Sequence, residues 1–396
     1  MPFALDGLRV LDVSQVMAGP FCCLLLGDMG AEVIKIEKPT GGDDSRRFGP
    51  PFINGESAAF MAMNRNKRSL ALDLKQPEGQ NILRQLAARA DVFVENYRPG
   101  TLAALGLGYA DLSRDHPALI YCSISGYGQT GPDRERGGFD LVAQGVSGLM
   151  SITGHPGQAP VKVGVPLADL NAGMYATYGV LCAYIHRLRT GQGQLVDTSL
   201  LEGGLAYTVW ESAIYFATGM IPPPMGSAHR MAAPYQAFRT ADGYITVGAA
   251  NQANWEKLCA VLQRPDLLTD PRFRDNPART QRAAELAAEL ETIFITRPTA
   301  EWLSVLESTG MPVGPVNDMA AAYADPQVLA RDMVVEIEHP VAGCIRNIGV
   351  PVKLSETPGQ IRRPAPTLGQ HTDEVLAELD FTAEAIANLR ATRAVI

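Results

Sequence analysis

Apolar and polar positions along the first 220 residues alternate between two rhythms. Short apolar blocks at 8–13, 32–37, 91–95, 119–123 and 193–199 read as buried strands. Between them, apolar residues recur every three or four positions after Gly19-Pro20, near 78–90 and over 200–219, which predicts helices. One helix is long: Leu170, Met174, Tyr178, Leu181, Ile185 and Leu188 keep helical spacing, and Gly191 supplies a stop. Alternating strands and helices predict a mostly parallel, doubly wound α/β sheet. The rhythm breaks at Pro222-Pro223-Pro224. Beyond it, 235–239 and 244–248 flank Ala241-Asp242-Gly243, a hairpin signal, and helical stretches follow at about 251–262 and 278–308. Residues 225–320 therefore read as a small α+β domain. Residues 1–220 plus 325–396 read as a large domain, with a helical tail at 369–389 packing back on it.

Composition narrows the class. A chain of 396 residues exceeds the usual size of one core, so two domains fit. With 46% hydrophobic and 19% charged residues it is an ordinary globular sequence, and its net charge of −8 argues against a nucleic-acid partner. No apolar run approaches a membrane span, and no basic-then-apolar leader precedes the first strand. The six cysteines are scattered, four of them in apolar runs, which points to reduced thiols and a cytoplasmic enzyme. The six histidines are dispersed and give no metal-ligand spacing, so no metal is expected.

Candidate chemistry starts at Pro166-Leu167-Ala168-Asp169-Leu170-Asn171-Ala172-Gly173, where an apolar stretch turns into the long helix. Asp169 should sit at or just before the first turn, where free amides and the positive helix end favour its ionised form. An anionic carboxylate there is either a plain N-cap or a nucleophile toward an activated acyl group. From 38 to 75, seven cations face four carboxylates; the segment is a solvated turn or an anchor for phosphates. Asn96-Tyr97-Arg98 follows a strand, where hydrogen bonding, stacking and pairing with an anion can meet a ligand. The loop Gly248-Ala249-Ala250-Asn251 could hold a carboxylate on its amides. His229-Arg230 is the histidine-bearing pair placed near substrate. The first loop, 14–20, lacks the glycine fingerprint of dinucleotide binding.

Together these segments resemble the family III coenzyme A transferases, the group containing formyl-CoA and carnitine CoA transferases. The resemblance is carried by 7–12, 30–37, 64–69, 96–100, Gly126-Tyr127-Gly128-Gln129-Thr130-Gly131-Pro132, 191–194 and Gly369-Gln370-His371-Thr372. It is closest to the branch that moves coenzyme A between dicarboxylates (glutarate-type), through Gly226-Ser227-Ala228-His229 and 234–238. The resemblance implies a Rossmann-like large domain, an interlaced homodimer, and coenzyme A, acyl-CoA and small carboxylic acids as substrates, with no tightly bound cofactor. It places Asp169 on the nucleophile and Met17, Ala18, Lys38, Leu72, Asp73, Leu74, Lys75, Asn96, Tyr97, Arg98 and Asp140 on coenzyme A contacts. It further implies that Asp169 forms an anhydride and then a thioester, under the Gly248–Asn251 amides, with His229 or Arg230 gripping a distal carboxylate. Two rivals remain: an α-methylacyl-CoA racemase, although Phe139 stands where that branch has a histidine base, and a catalytically silent acyl-CoA-binding paralogue.

Overall fold

The computed structural model describes residues 3–396. Six strands form the main sheet: β1 (Arg9–Asp12), β2 (Glu32–Glu37), β3 (Lys67–Ala71), β4 (Val92–Glu95), β5 (Ile120–Ser125) and β6 (Leu195–Ser199). All pairs are parallel and the order is β3-β2-β1-β4-β5-β6. Winding thus reverses between β1 and β4, which opens a crevice at the carboxyl ends of those two strands.

Register explains why both faces are covered. Val10 lies opposite Val33 and Val92, and these, with Ile120, point into a core shared with Cys22, Leu26, Ala172 and Ala176. Their neighbours Leu11, Ile34, Phe93 and Tyr121 point the other way, onto Leu83 and Leu86 and onto Val375 and Leu376. Near-continuous apolar strands are what a sheet buried on both sides requires.

The chain divides into two compact units. One takes the chain up to Met150, Lys162–Met220 and Gln327–Ile396; the other takes Ser151–Val161 and Ile221–Pro326. The expected boundary near the triple proline falls close to Met220, but 151–161 goes with the second unit. That unit holds an antiparallel sheet of β7 (Tyr235–Arg239), β8 (Tyr244–Gly248) and β9 (Val313–Pro315) over a core of Phe238, Trp255, Phe294 and Trp302. In the first unit the tail packs back as expected: His371 N donates to Ser69 O, and Val375 and Leu376 are buried.

Several expectations need correction. Strand β3 falls in the segment read as a basic turn, because Lys67 and Arg68 are buried by counter-charges that are remote in sequence. The predicted helix over 200–219 breaks into Leu200–Leu205 and Val209–Thr218 around a short 3₁₀ turn. The stretch 278–308 is three helices, Asn276–Gln281, Ala283–Phe294 and Thr299–Glu307. All six cysteines are free; Cys22, Cys23, Cys122 and Cys259 are buried and Cys182 and Cys344 exposed. Among the described residues no helix is long and apolar enough to cross a membrane.

Candidate active site

Three loops converge on the crevice outside β1 and β4. The first, after β1, leads into α1 (Ala18–Asp28) and carries Gln15, Met17 and Ala18. The second, after β4, carries Asn96, Tyr97 and Arg98. The third, after β5, leads to α2 (Asp140–Val146) through Gly137-Gly138-Phe139. They enclose a cavity of about 270 Å³ whose wall includes the Asp169 side chain from α3 (Leu167–Thr190). Two backbones cross closely in that wall: a Cβ on Gly138 would stand 2.5 Å from Gly126 Cα, so only glycine fits. Gly173 does the same for α3, since a Cβ there would meet Ala18 O at 2.5 Å. That close approach sets the start of α1 beside the second turn of α3.

Asp169 is the third residue of α3, and the helix's N-cap is Pro166, which makes no side-chain cap bond. The plain N-cap reading is therefore wrong. Among the described residues the Asp169 carboxylate accepts no hydrogen bond from protein. The expected preference for the charged form is also reversed. Burial, and then the charge of Asp140, push its pKa up to about 7, outweighing the helix end. A carboxylate so placed is poorly solvated, unpaired and open to a ligand, which is what a nucleophile needs.

Asp140 is committed elsewhere. Its carboxylate accepts from Ala168 N at 2.8 Å and from Gln144 Nε2 at 2.7 Å, while Gln144 Oε1 accepts from Val163 N at 2.9 Å. This pair fixes the chain entering α3 just before Asp169, and Asp140 does not line the cavity. Beside it, Phe139 lines the wall, where a racemase would need a proton carrier.

The β1 loop is clamped by charges that the sequence did not reveal as partners. Lys35 Nζ, fully buried, contacts Asp43 at 2.9 Å and Ser14 O at 3.1 Å. Asp43 in turn accepts from Val16 N at 3.1 Å and holds that β-branched residue at φ +67°. Lys67 Nζ reaches Asp12 at 2.8 Å and Pro20 O at 2.9 Å. Burial works against the Lys35 ammonium, but Asp12, Asp43 and Glu37 outweigh it and hold its pKa above the ordinary lysine value. Across the crevice, Asn96 exchanges two bonds with Gln15, accepting from its N–H at 2.8 Å and donating to its carbonyl at 2.7 Å. Asn96 thus ties the two loops together at the point where winding reverses.

Other expected contacts divide. Met17, Ala18, Asn96, Tyr97 and Arg98 line the Asp169 cavity. Tyr97 packs partly on the core, which restricts it as a stacking platform. Lys38, Asp73 and Lys75 line a second cavity. Leu72 is a buried core residue, and Leu74, half-buried, packs on the same cluster. The phosphate anchor expected of the basic segment shrinks: Arg65 pairs with Asp28, Lys67 with Asp12, and Arg68 with Glu374 and Glu378. In the second unit, Arg230 donates to Pro223 O at 2.7 Å, and His229 packs edge-on against Tyr235. Gly248 N already donates to Pro312 O at 2.9 Å and Asn251 caps the next helix through Asn254 N, while Ala249 is buried. The Gly248 amide is thus taken, against the expectation that it helps hold a carboxylate.

Sequence reasoning missed Glu95. This buried carboxylate accepts from Tyr97 N at 2.8 Å and from Ser123 Oγ, and Gln129 Nε2 donates to the same Ser123 oxygen at 2.6 Å. Burial, opposed by those bonds and helped by Asp197, pushes its pKa up to about 7. Its position at the end of an apolar strand, one residue before Asn96, was the available signal.

Comparison with known proteins agrees with this geometry. The model of CoA-transferase family III matches residues 5–372. Human succinyl-CoA:glutarate CoA-transferase is 44% identical over 386 residues, covering 97% of this chain and 88% of that protein. Succinate–glutarate CoA-transferase of Agrobacterium fabrum is 40% identical, covering 95% of this chain and 96% of its own length. The crystal structure of a CAIB/BAIF family protein from Brucella suis superposes with a TM-score of 0.87 at 38% identity, over 96% of this chain and all of that one. With a half-buried, unpaired carboxylate at the switch-point crevice and a family match along nearly its whole length, the chain belongs to CoA-transferase family III.

Proposed function

We propose that this enzyme moves coenzyme A from succinyl-CoA to a dicarboxylic acid through two covalent states of Asp169. The observation that carries this is the Asp169 carboxylate itself: unbonded to protein, poorly solvated and set in the wall of a cavity at the sheet's crevice. Its relatives' names supply the acids, since both transferases described above act on succinate or succinyl-CoA and glutarate.

In this mechanism the carboxylate attacks the thioester carbonyl, forming an aspartyl–succinyl anhydride and releasing the coenzyme A thiolate. The thiolate attacks the aspartyl carbonyl, which frees succinate and leaves an aspartyl–CoA thioester. The acceptor carboxylate attacks that thioester, giving a second anhydride and the thiolate again. Attack of the thiolate on the acceptor acyl carbon yields the new acyl-CoA and restores Asp169. Both covalent states are prone to hydrolysis, and the buried Ala168, Ala172 and Leu200 around the carboxylate limit water there. The thioester arm runs along Met17, Ala18 and Asn96–Arg98, and the nucleotide end lies at Lys38, Asp73 and Lys75.

The homodimer implied by the family resemblance has a matching surface. The apolar stripe of α3 faces away from its own core: Tyr178 is 67% and Leu188 68% exposed, while Ala172, Ala176 and Val180 on the opposite face are buried. A second copy is the occupant this reading assigns to that stripe.

Isotope exchange between labelled free acids and their CoA esters tests the reaction. Succinate and glutarate should exchange fastest among succinate, glutarate, malate, mesaconate, itaconate and oxalate. No exchange with any acid would leave a silent acyl-CoA binder.

A further inference from the structure

The second cavity, of about 600 Å³, is ringed by four cations, Lys38, Lys75, Arg390 and Arg393, and by one carboxylate, Asp73. Asp73 is turned to its own loop, accepting from Lys75 N at 3.0 Å and Gln76 Nε2 at 3.2 Å. Lys38 pairs with Asp44 at 2.6 Å, and Arg390 with Asp373 at 2.6 Å. The side chains of Lys75 and Arg393 have no hydrogen bond or ion pair among the described residues. A cavity with two unpaired cations and its carboxylate already bonded suits a dianion.

The chain's last residues are built into this cavity. Asp73 N donates to Ala394 O at 2.9 Å, Leu72 pairs with Val395 across an isolated bridge, and Gln76 Nε2 donates to Thr392 O at 3.3 Å. Ala394 and Val395 are buried. Arg393 is therefore carried on an anchored backbone, not on a loose tail. The cavity also connects to the reaction: Asp44, the partner of Lys38, lines the Asp169 cavity. Coenzyme A is a long molecule with a thioester at one end and a 3′-phosphorylated adenine nucleotide at the other. It calls for a second, cationic site set off from the nucleophile.

We propose that Arg393, across the cavity from the Lys75 already placed on coenzyme A, receives the 3′-phosphate of its nucleotide, so that the C-terminal segment completes the substrate site. This rests on the placement of the nucleotide given under Proposed function. A guanidinium on an exposed phosphomonoester contributes a charge-assisted hydrogen bond, worth about a tenfold change in KM at such a site.

Initial rates with succinyl-CoA and with its 3′-dephospho counterpart test it. Arg393→Gln should raise KM for succinyl-CoA about tenfold with kcat unchanged, and Arg393→Lys should recover much of the loss. With the dephospho thioester, variant and wild-type KM should agree. An equal shift on both thioesters, or none on either, overturns the assignment of Arg393. Lys75→Gln separates the two levels. If it discriminates between the thioesters while Arg393→Gln does not, only the role of Arg393 fails. If neither variant changes KM for either thioester, the nucleotide placement fails as well.

Discussion

Asp169 is held in a state that a surface aspartate avoids, and stability against pH should record this. The folded carboxyl keeps its proton up to about 7, whereas an ordinary aspartate releases it near 3.8. Between those values the folded protein binds more protons than the unfolded chain, so this residue's contribution falls as pH rises through that window and is level above it. Asp169→Asn does not ionise and escapes the loss. Its melting temperature should gain on wild type from about pH 4 to about pH 7 and then hold a constant lead. A pH-independent gap would contradict the shift. Under the proposed mechanism the same ionisation creates the nucleophile, so kcat/KM of the wild type should climb through about pH 7. Glu95 titrates in the same range, which is why the paired stability measurement isolates Asp169 better than the rate profile.

At the level of elements, the β1 loop shows how a buried ionic cluster positions a site. Lys35 serves Asp43 and Ser14 O at once, and Asp43 holds Val16 in a conformation that costs about 1–3 kcal/mol for a side chain of its kind. Lys35→Met would leave Asp43 without its cation and Asp12 with only Lys67. Urea denaturation should show a loss of about 3–5 kcal/mol; a loss below about 1 kcal/mol would mean the cluster is not a clamp. The cluster also marks the limit of what the sequence made legible. Strands β1, β2, β4, β5 and β6, the hairpin of the second unit and the extent of α3 followed from local periodicity. Strand β3 did not, because Lys67 and Arg68 look solvated until their charged partners are known, and those lie 36 to 310 residues away. Asp140 entered as a coenzyme A contact through the resemblance, and the fold adds that its oxygens accept from Ala168 N and Gln144 Nε2. Asp169 stood out through the resemblance. Its lack of protein hydrogen bonds needed the fold.

For the whole molecule, the face of α3 was the feature periodicity could not orient. Its large apolar residues repeat at helical spacing, yet the helix buries the small side, Ala168, Ala172, Ala176 and Ala183, against its own unit. Small residues allow the close approach to α1 that places Asp169, and in the proposed dimer the large ones meet the second copy. Sedimentation at low micromolar concentration should give twice the chain mass, with Tyr178→Asp/Leu188→Asp weakening the association; a wild-type monomer would contradict the proposed dimer. The central claim remains covalent chemistry at one carboxylate, and trapping tests it most directly. Hydroxylamine added during turnover with succinyl-CoA and glutarate should convert Asp169 to its hydroxamate, seen as a mass shift on the peptide that contains it. An unmodified Asp169 under active turnover, or a hydroxamate on another carboxylate such as Asp140 or Glu95, would contradict it.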